Sequence, residues 1–142
     1  MKIAACVAAL LIAGCTTTGK LTVSTANQPA NHVVIQVSDN DPAKWNLALN
    51  NAKNLQSDLG ASNVEIEIVA YGPGLNMVKA GSAVAPRIDE AVLGGMKVNA
   101  CENTMHAQKV TREQILPGVT YVPAGVVEIM KRQQEGWSYI RP

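Results

Sequence analysis

Cysteine is the most reactive nucleophile among the residue types of this chain, and its three copies lie in different sequence contexts. Cys6 lies inside an apolar N-terminal run, Cys15 ends the sequence Ile12–Cys15, and Cys101 closes a short apolar stretch much later. We expect the segment that contains Cys6 to be removed and Cys15 to be lipidated. Cys101 is therefore the single thiol that we expect to remain free. An exported protein retains such a thiol because it is buried or because it is used chemically.

The N-terminal segment has the composition of an export signal. Lys2 precedes the apolar and small residues Ile3–Gly14, a run shorter than the about 20 residues that a membrane-spanning helix needs. The end of this run and Cys15 match the bacterial lipoprotein pattern, in which diacylglycerol is attached to the cysteine thiol before cleavage. Because Thr16 follows rather than an acidic residue, we expect a periplasmic protein that is lipid-anchored at the outer membrane. The alternative is an ordinary secretory signal with an incidental cysteine.

Composition predicts a tether followed by one compact domain. Residues 15–31 are rich in Thr, Ser, Asn and Ala and have no sustained apolar periodicity, so we expect a flexible tether that begins at the lipidated Cys15. Residues 32–142 are numerous enough for one domain with a hydrophobic core. Once residues 1–14 are removed, basic and acidic side chains are equal in number, which gives no electrostatic reason to expect nucleic acid as a partner.

Strand and helix patterns alternate through the domain. The first helix is the best defined, because Asp41 and Pro42 suit its start and Gly60 suits its end. Further helical patterns cover residues 84–92, a broken stretch over 103–114, and residues 125–135. The predicted strands are Val33–Val37, Val64–Tyr71, Met96–Cys101, Val119–Val122 and Trp137–Ile140. This order predicts an α/β fold with a mostly parallel five-stranded sheet and helices on both faces.

The second predicted strand carries two acidic residues. Glu65 and Glu67 alternate with apolar residues in Val64–Tyr71 and therefore fall on the same face of the strand. This alternation predicts a strand at the edge of the sheet, where the start of one face is in water. We expect both carboxylates to be solvated rather than to act as an acid–base pair.

Cys101 ends a predicted strand, at a position where parallel α/β sheets bind ligands. Such ligands lie beyond the carboxyl ends of the strands, near the point where the winding reverses. Asn103 or Thr104 can cap the following helical turn, and backbone amides there would lower the pKa of the thiol. Glu102 would oppose that effect if its carboxylate faced the sulfur. The alternative is that Cys101 is a small buried residue that only packs.

Other chemistries for this thiol have less support. His106 lies five residues after Cys101, and His32 begins the first strand. Neither brings the further ligands of a zinc site or the orienting group of a Cys–His hydrolase. No phosphate-binding loop is present in the sequence. We therefore expect no metal and no cofactor.

Several stretches of the domain resemble the DsrE/DsrF-like family of sulfur-relay proteins, in the same order along the chain. The stretches are Ala48–Ala52, Val64–Leu75, Ala100–Met105, Leu116–Gly118 and Gln133–Ile140. The resemblance implies a three-layer α/β/α subunit, frequently assembled into trimers or hexamers, and a cysteine that carries sulfur as a persulfide. Cys101 is the residue that matches that cysteine. The well-understood family members are cytoplasmic, whereas this chain has an export signal.

The expected function is that of a sulfur carrier or sulfurtransferase-like protein, which holds sulfane sulfur on Cys101 between a donor and an acceptor thiol. Asn103 and Thr104 would supply hydrogen-bond donors, and Gly72 and Gly74 would form a neighbouring wall of the substrate site. The alternative is a non-catalytic, membrane-tethered oligomer that binds a ligand or partner, with Cys101 as a packing residue.

Overall fold

The computed structural model describes residues 29–142. The expected signal peptide, the lipidation site at Cys15 and residues 15–28 of the expected tether lie outside the described residues. The elements are β1 (Asn31–Val37), α1 (Pro42–Leu59), β2 (Val64–Ala70), a 3₁₀ segment (Gly72–Val78), α2 (Ala85–Leu93), β3 (Lys97–Cys101), α3 (Glu102–Gln108), a short 3₁₀ turn (Arg112–Gln114), β4 (Thr120–Val122), α4 (Gly125–Gln134) and β5 (Ser138–Ile140).

The sheet is parallel throughout, with the strand order β4-β3-β2-β1-β5. The chain therefore winds from β1 towards β4 and then crosses back to place β5 beside β1. Because crossovers between parallel strands are right-handed, the change of direction places α4 on the opposite face from α1 and α2. The predicted α/β fold with a parallel five-stranded sheet and helices on both sides is confirmed.

Local signals explain why α1 begins and ends where it does. The Asp41 carboxylate accepts a hydrogen bond of 2.8 Å from the Ala43 amide, and Pro42 occupies the first helical position. The helix ends at Gly60, whose φ of 86° is a conformation that favours glycine. The face that includes Trp45 and Leu49 is buried.

The two faces of the sheet differ in the size of their hydrophobic cores. The larger core packs α1 and α2 against alternate strand residues such as Ile35 and Ile68. The smaller core lies beneath α4 and consists of five buried residues, Val34, Val69, Val122, Ile129 and Trp137. A single helix thus covers the sheet face on which the side chains of Asn99 and Cys101 lie, opposite to those of Val98 and Ala100.

The prediction that the second strand lies at the sheet edge is wrong. β2 lies at the centre of the sheet, between β1 and β3, and the side chain of Glu67 is fully buried. Its charge is compensated by Arg132 of α4, which a local sequence pattern does not reveal. Glu65, at the start of the strand, is partly exposed and pairs with Lys97 of β3.

Among the described residues, no helix combines the length and apolar composition needed to cross a membrane.

Candidate functional site

Cys101 occupies the carboxyl edge of the sheet, as the sequence predicts. It is the last residue of β3 and the N-cap of α3, and it is the free cysteine of the described part of the chain. The point at which the winding reverses is elsewhere, between β1 and β5, two strands away from β3. A space of only about 10 Å³, bordered by Val37 and Pro142, remains there.

Polar groups from two helix starts surround the sulfur of Cys101, and one of them makes a hydrogen bond of defined length. The backbone amide of Gly125 donates to Sγ over 3.2 Å, across the sheet edge from the start of α4. Asn103 and Thr104, in the first turn of α3, lower the pKa of the thiol through their backbone amides, as does the Thr104 hydroxyl, while the Asn103 amide itself donates to the carbonyl oxygen of Pro123 over 3.1 Å.

The Thr104 hydroxyl also contacts the 3₁₀ segment that starts at Gly72. Its Oγ1 accepts a hydrogen bond of 2.9 Å from the Gly72 amide. The hydroxyl accepts through a lone pair there and keeps its proton available for donation. Thr104 therefore joins the 3₁₀ segment that starts at Gly72 to the first turn of α3.

The balance of burial and hydrogen bonding favours the thiolate. Burial raises the pKa of the Cys101 thiol, because a charged sulfur is disfavoured away from water. The Thr104 hydroxyl and the amides of Gly125, Thr104 and Asn103 oppose this effect, so that the pKa lies below that of an ordinary cysteine. A cysteine that only fills space needs none of these donors.

Glycine is required at position 125 for the approach of α4. A Cβ on Gly125 would lie 2.9 Å from Cβ of Tyr71 and 3.2 Å from Cγ1 of Val69. The absence of a side chain lets the first turn of α4 lie against β2, close enough for its amide to reach Cys101. Gly125 could not be identified from the sequence as part of the site, because its contact with Cys101 joins residues that are 24 positions apart.

The other residues predicted for the substrate site have different surroundings. Gly72 adjoins the site, but its amide is already bonded to Thr104. Gly74 is buried against the end of β1, where a Cβ would lie 2.3 Å from the carbonyl oxygen of Val37, and its amide donates to the carbonyl of Ser38. The side chain of Asn103 is exposed. A direct substrate contact for these residues stays a prediction.

Charged groups near the site are turned away from the sulfur. The carboxylate of Glu102 pairs with Arg112 over 2.6 Å, and that guanidinium lies 4.4 Å above the ring of Tyr121. His106 is exposed on α3, and His32 lies 3.6 Å from Glu65. Within residues 29–142, no group of three His, Cys, Asp or Glu side chains has the arrangement of a metal site.

A cavity of about 320 Å³ lies on the opposite face of the sheet, between α1 and α2. Leu49 and Met96 form part of its apolar wall, and Arg87 lies at its rim. None of the residues that line it donates a hydrogen bond to Cys101. The structure therefore separates this cavity from the thiol.

Solved structures that this chain resembles in fold include those of the following two proteins. The structure of a protein of unknown function, MTH1491 from Methanobacterium thermoautotrophicum, is 37% identical and superimposes with a TM-score of 0.75 over 79% of this chain and 99% of that one. The ychN protein from E. coli is 9% identical and superimposes with a TM-score of 0.62 over 81% of this chain and 100% of that one, which is a likeness of fold alone. Curated proteins give no match to this sequence.

A sequence model of the DsrE/DsrF-like family matches residues 31–142, the whole of the folded domain. The match and the 37% identical structure agree with the resemblance found in the sequence. The chain belongs to the DsrE/DsrF-like family, which is generally linked to sulfur relay.

Proposed function

We propose that this protein is a sulfur carrier or sulfurtransferase-like protein that holds sulfane sulfur as a persulfide on Cys101. The observation that supports this most strongly is the hydrogen bond of 3.2 Å from the Gly125 amide to the sulfur, together with the polar groups of Thr104 and Asn103 that lower the pKa of the thiol. These groups favour the thiolate, which is the nucleophile that sulfur transfer requires. Family membership supports the same chemistry in its general form.

The transfer needs no external oxidant or reductant. The Cys101 thiolate attacks the outer sulfur of a donor persulfide, a new S–S bond forms, and the donor's S–S bond breaks with release of its thiolate. The proton of the donor persulfide remains with the transferred sulfur or passes to solvent. An acceptor thiolate then attacks that outer sulfur in the same way and regenerates the Cys101 thiolate. A single cysteine suffices for both steps.

Access to the sulfur requires a local movement. Cys101 is only 4% exposed, and a persulfide places a second sulfur about 2 Å beyond the first. Gly125 and the exposed Pro123 belong to the loop and first helical turn that lie against the sulfur. We propose that this segment moves to admit the donor, since short segments at helix ends open at low free-energy cost.

The test is mass spectrometry of the Cys101 peptide after the folded protein has been treated with a low-molecular-weight persulfide or with thiosulfate. A mass increase of one sulfur that dithiothreitol removes is expected at Cys101. A Cys101→Ser variant provides the control, because the same peptide must then remain unchanged. A reduced and accessible Cys101 that gains no sulfur contradicts the proposal.

The low exposure of Cys101 favours a second candidate function. In that case the protein is a non-catalytic, membrane-tethered oligomer, Cys101 only packs, and the 320 Å³ cavity between α1 and α2 accepts a ligand or partner segment. Iodoacetamide distinguishes the two functions. A packing cysteine reacts only on global unfolding, whereas the carrier reacts at a rate that exceeds the global unfolding rate.

We also propose that the chain is a periplasmic lipoprotein, attached to the outer membrane through Cys15, and that its folded domains form a homo-oligomer, a trimer or a hexamer. The support is the lipoprotein pattern at Ile12–Cys15 and the family resemblance. A Cys15→Ser variant should lose the lipid mass and the membrane association. Light scattering of the isolated protein should give a mass of three or six subunits; a monomeric mass contradicts the assembly.

A further inference from the structure

A buried polar network lies beneath α4, away from the thiol. Both oxygens of the Glu67 carboxylate are engaged, Oε1 by Nδ2 of Asn99 at 2.6 Å and Oε2 by Nε of Arg132 at 2.7 Å. The carbonyl oxygen of the Asn99 side chain accepts a hydrogen bond from the Thr120 hydroxyl. The network therefore joins the three strands β2, β3 and β4 to α4.

Arg132 is held in place on several sides. It pairs with Glu128 over 3.0 Å and with Glu135 over 3.1 Å, and its guanidinium lies 4.6 Å above the ring of Trp137. The two acids lie on or directly after the same helix, so they orient the side chain but do not attach the helix to the sheet. The charged link to the sheet is Glu67.

Arg132 and Gly125 face the sheet from the same side of α4. Residues at the spacing of Gly125, Ile129 and Arg132 lie along one face of a helix, and Ile129 is buried in the core beneath α4. The seven-residue interval corresponds to about 10 Å along the helix axis. α4 is therefore attached to the sheet at two places, at Cys101 through the Gly125 amide and at Glu67 through Arg132.

We propose that Glu67 is a positioning residue for Cys101: by binding Arg132, its carboxylate fixes α4 at the height and angle at which the Gly125 amide donates to the sulfur. This inference rests on the proposed function, because it concerns how the nucleophilic sulfur of Cys101 keeps the Gly125 amide as a hydrogen-bond donor. Asn99 lies two residues before Cys101 on the same face of β3, so one strand carries both the partner of Glu67 and the thiol.

Positioning explains the ion pair better than stability does. A buried ion pair seldom adds net stability, because removing both charges from water costs as much as their attraction returns. Burial raises the pKa of the Glu67 carboxyl, an effect that Arg132 opposes, which means that the surroundings disfavour the charged form relative to water. A fixed orientation of α4 over the sheet is what an apolar contact would not supply.

The experiment measures the pKa of Cys101 from the pH dependence of its alkylation rate, followed by mass spectrometry of the Cys101 peptide, in the wild type and in Glu67→Gln. We expect the pKa to rise by about one unit, which is about a tenfold loss of thiolate at a given pH below it, because the Gly125 amide moves away. A purely electrostatic role predicts the opposite sign, since removal of a carboxylate leaves Arg132 less compensated and stabilises the thiolate.

Glu128→Gln is the matched control. It removes an acid that also pairs with Arg132 but does not attach α4 to the sheet, and it should leave the pKa of Cys101 unchanged. Arg132→Lys is the second variant, because it keeps the charge but not the guanidinium geometry and should raise the pKa by a smaller amount. If Glu67→Gln does not fold, the pKa of Cys101 in Arg132→Lys tests the inference instead.

Three results would overturn the inference. In the first, Glu67→Gln lowers the unfolding temperature but leaves the pKa of Cys101 unchanged, so that Glu67 only stabilises the fold. In the second, the pKa falls. In the third, Glu128→Gln changes the pKa as much as Glu67→Gln does. Persulfide formation in the wild type is measured separately, so failure of this inference and failure of the proposed function are distinguishable.

Discussion

Substitution of Gly125 by alanine tests the geometry of the site most sharply. The new Cβ would lie 2.9 Å from Cβ of Tyr71, a distance that real Cβ atoms essentially never show, and 3.2 Å from Cγ1 of Val69. Neither partner is the end of a flexible side chain, so the first turn of α4 must move outwards by several tenths of an ångström. That movement lengthens the 3.2 Å contact between the Gly125 amide and Sγ of Cys101 and weakens this hydrogen bond.

The complete loss of this donor sets the upper bound of the expected effect. A hydrogen bond to a charged group contributes about 1.5 kcal/mol or more, which corresponds to a rise of about one unit in the pKa of Cys101. Below that pKa the thiolate fraction falls about tenfold, while the nucleophilicity of each thiolate increases about threefold. The net rate of alkylation should therefore fall about threefold. Overpacking should also reduce the free energy of unfolding by about 1–3 kcal/mol.

The assay is the pH dependence of alkylation at Cys101, with thermal unfolding measured in parallel. Gly94→Ala is the matched control, because that glycine has a helical φ of −74° and its Cβ would make a tight contact of 3.2 Å with the carbonyl of Glu90, on the other face of the sheet. It should affect stability without changing the pKa of Cys101. If Gly125→Ala leaves the pKa of Cys101 unchanged, the Gly125 amide does not lower the pKa of the thiol, and the prediction is wrong.

Three further predictions concern other parts of the structure. Thr104→Val should raise the pKa of Cys101 in the same alkylation assay, because the hydroxyl donor is lost, whereas Thr104→Ser should keep it; equal effects of the two would contradict the assigned hydrogen bond. Because burial raises the pKa of Glu67 above its ordinary value of 4.5, its contribution to stability is complete below about that pH and is lost as the pH rises through the raised pKa. The unfolding temperature of the wild type minus that of Glu67→Gln should therefore decrease as the pH rises above 4.5. A difference that stays constant with pH would contradict this prediction. Gly74→Ala should reduce the yield of folded protein severely, as measured by circular dichroism, because the Cβ would overlap the backbone of Val37; a normal unfolding temperature would show that the close approach is not required.

The parts of the fold that follow from local chemistry could be predicted from the sequence. The bounds of α1 follow from Asp41, Pro42 and Gly60, each of which acts within one or two helical turns. The strands are predicted to within one or two residues at each end, since β-branched and apolar runs mark them directly. The position of Cys101 at a strand end follows from the same pattern.

The parts that depend on distant residues could not be predicted. The pattern around Glu67 is compatible with a solvated strand, and only its contact with Arg132, 65 positions later, shows why it is buried at the centre of the sheet. In the same way, the donor at Gly125 reaches Cys101 only after the chain has crossed the sheet edge. Spacing along the sequence carries no information about such pairs.

The most direct test of the account is the mass of the Cys101 peptide from folded protein that has been exposed to a low-molecular-weight persulfide. We expect the addition of one sulfur atom to Cys101, removal of that sulfur by an acceptor thiol, and a slower gain in Gly125→Ala, in which the hydrogen bond from the amide is weakened. A Cys101 that stays unmodified while iodoacetamide labels it in the native state would contradict the central claim.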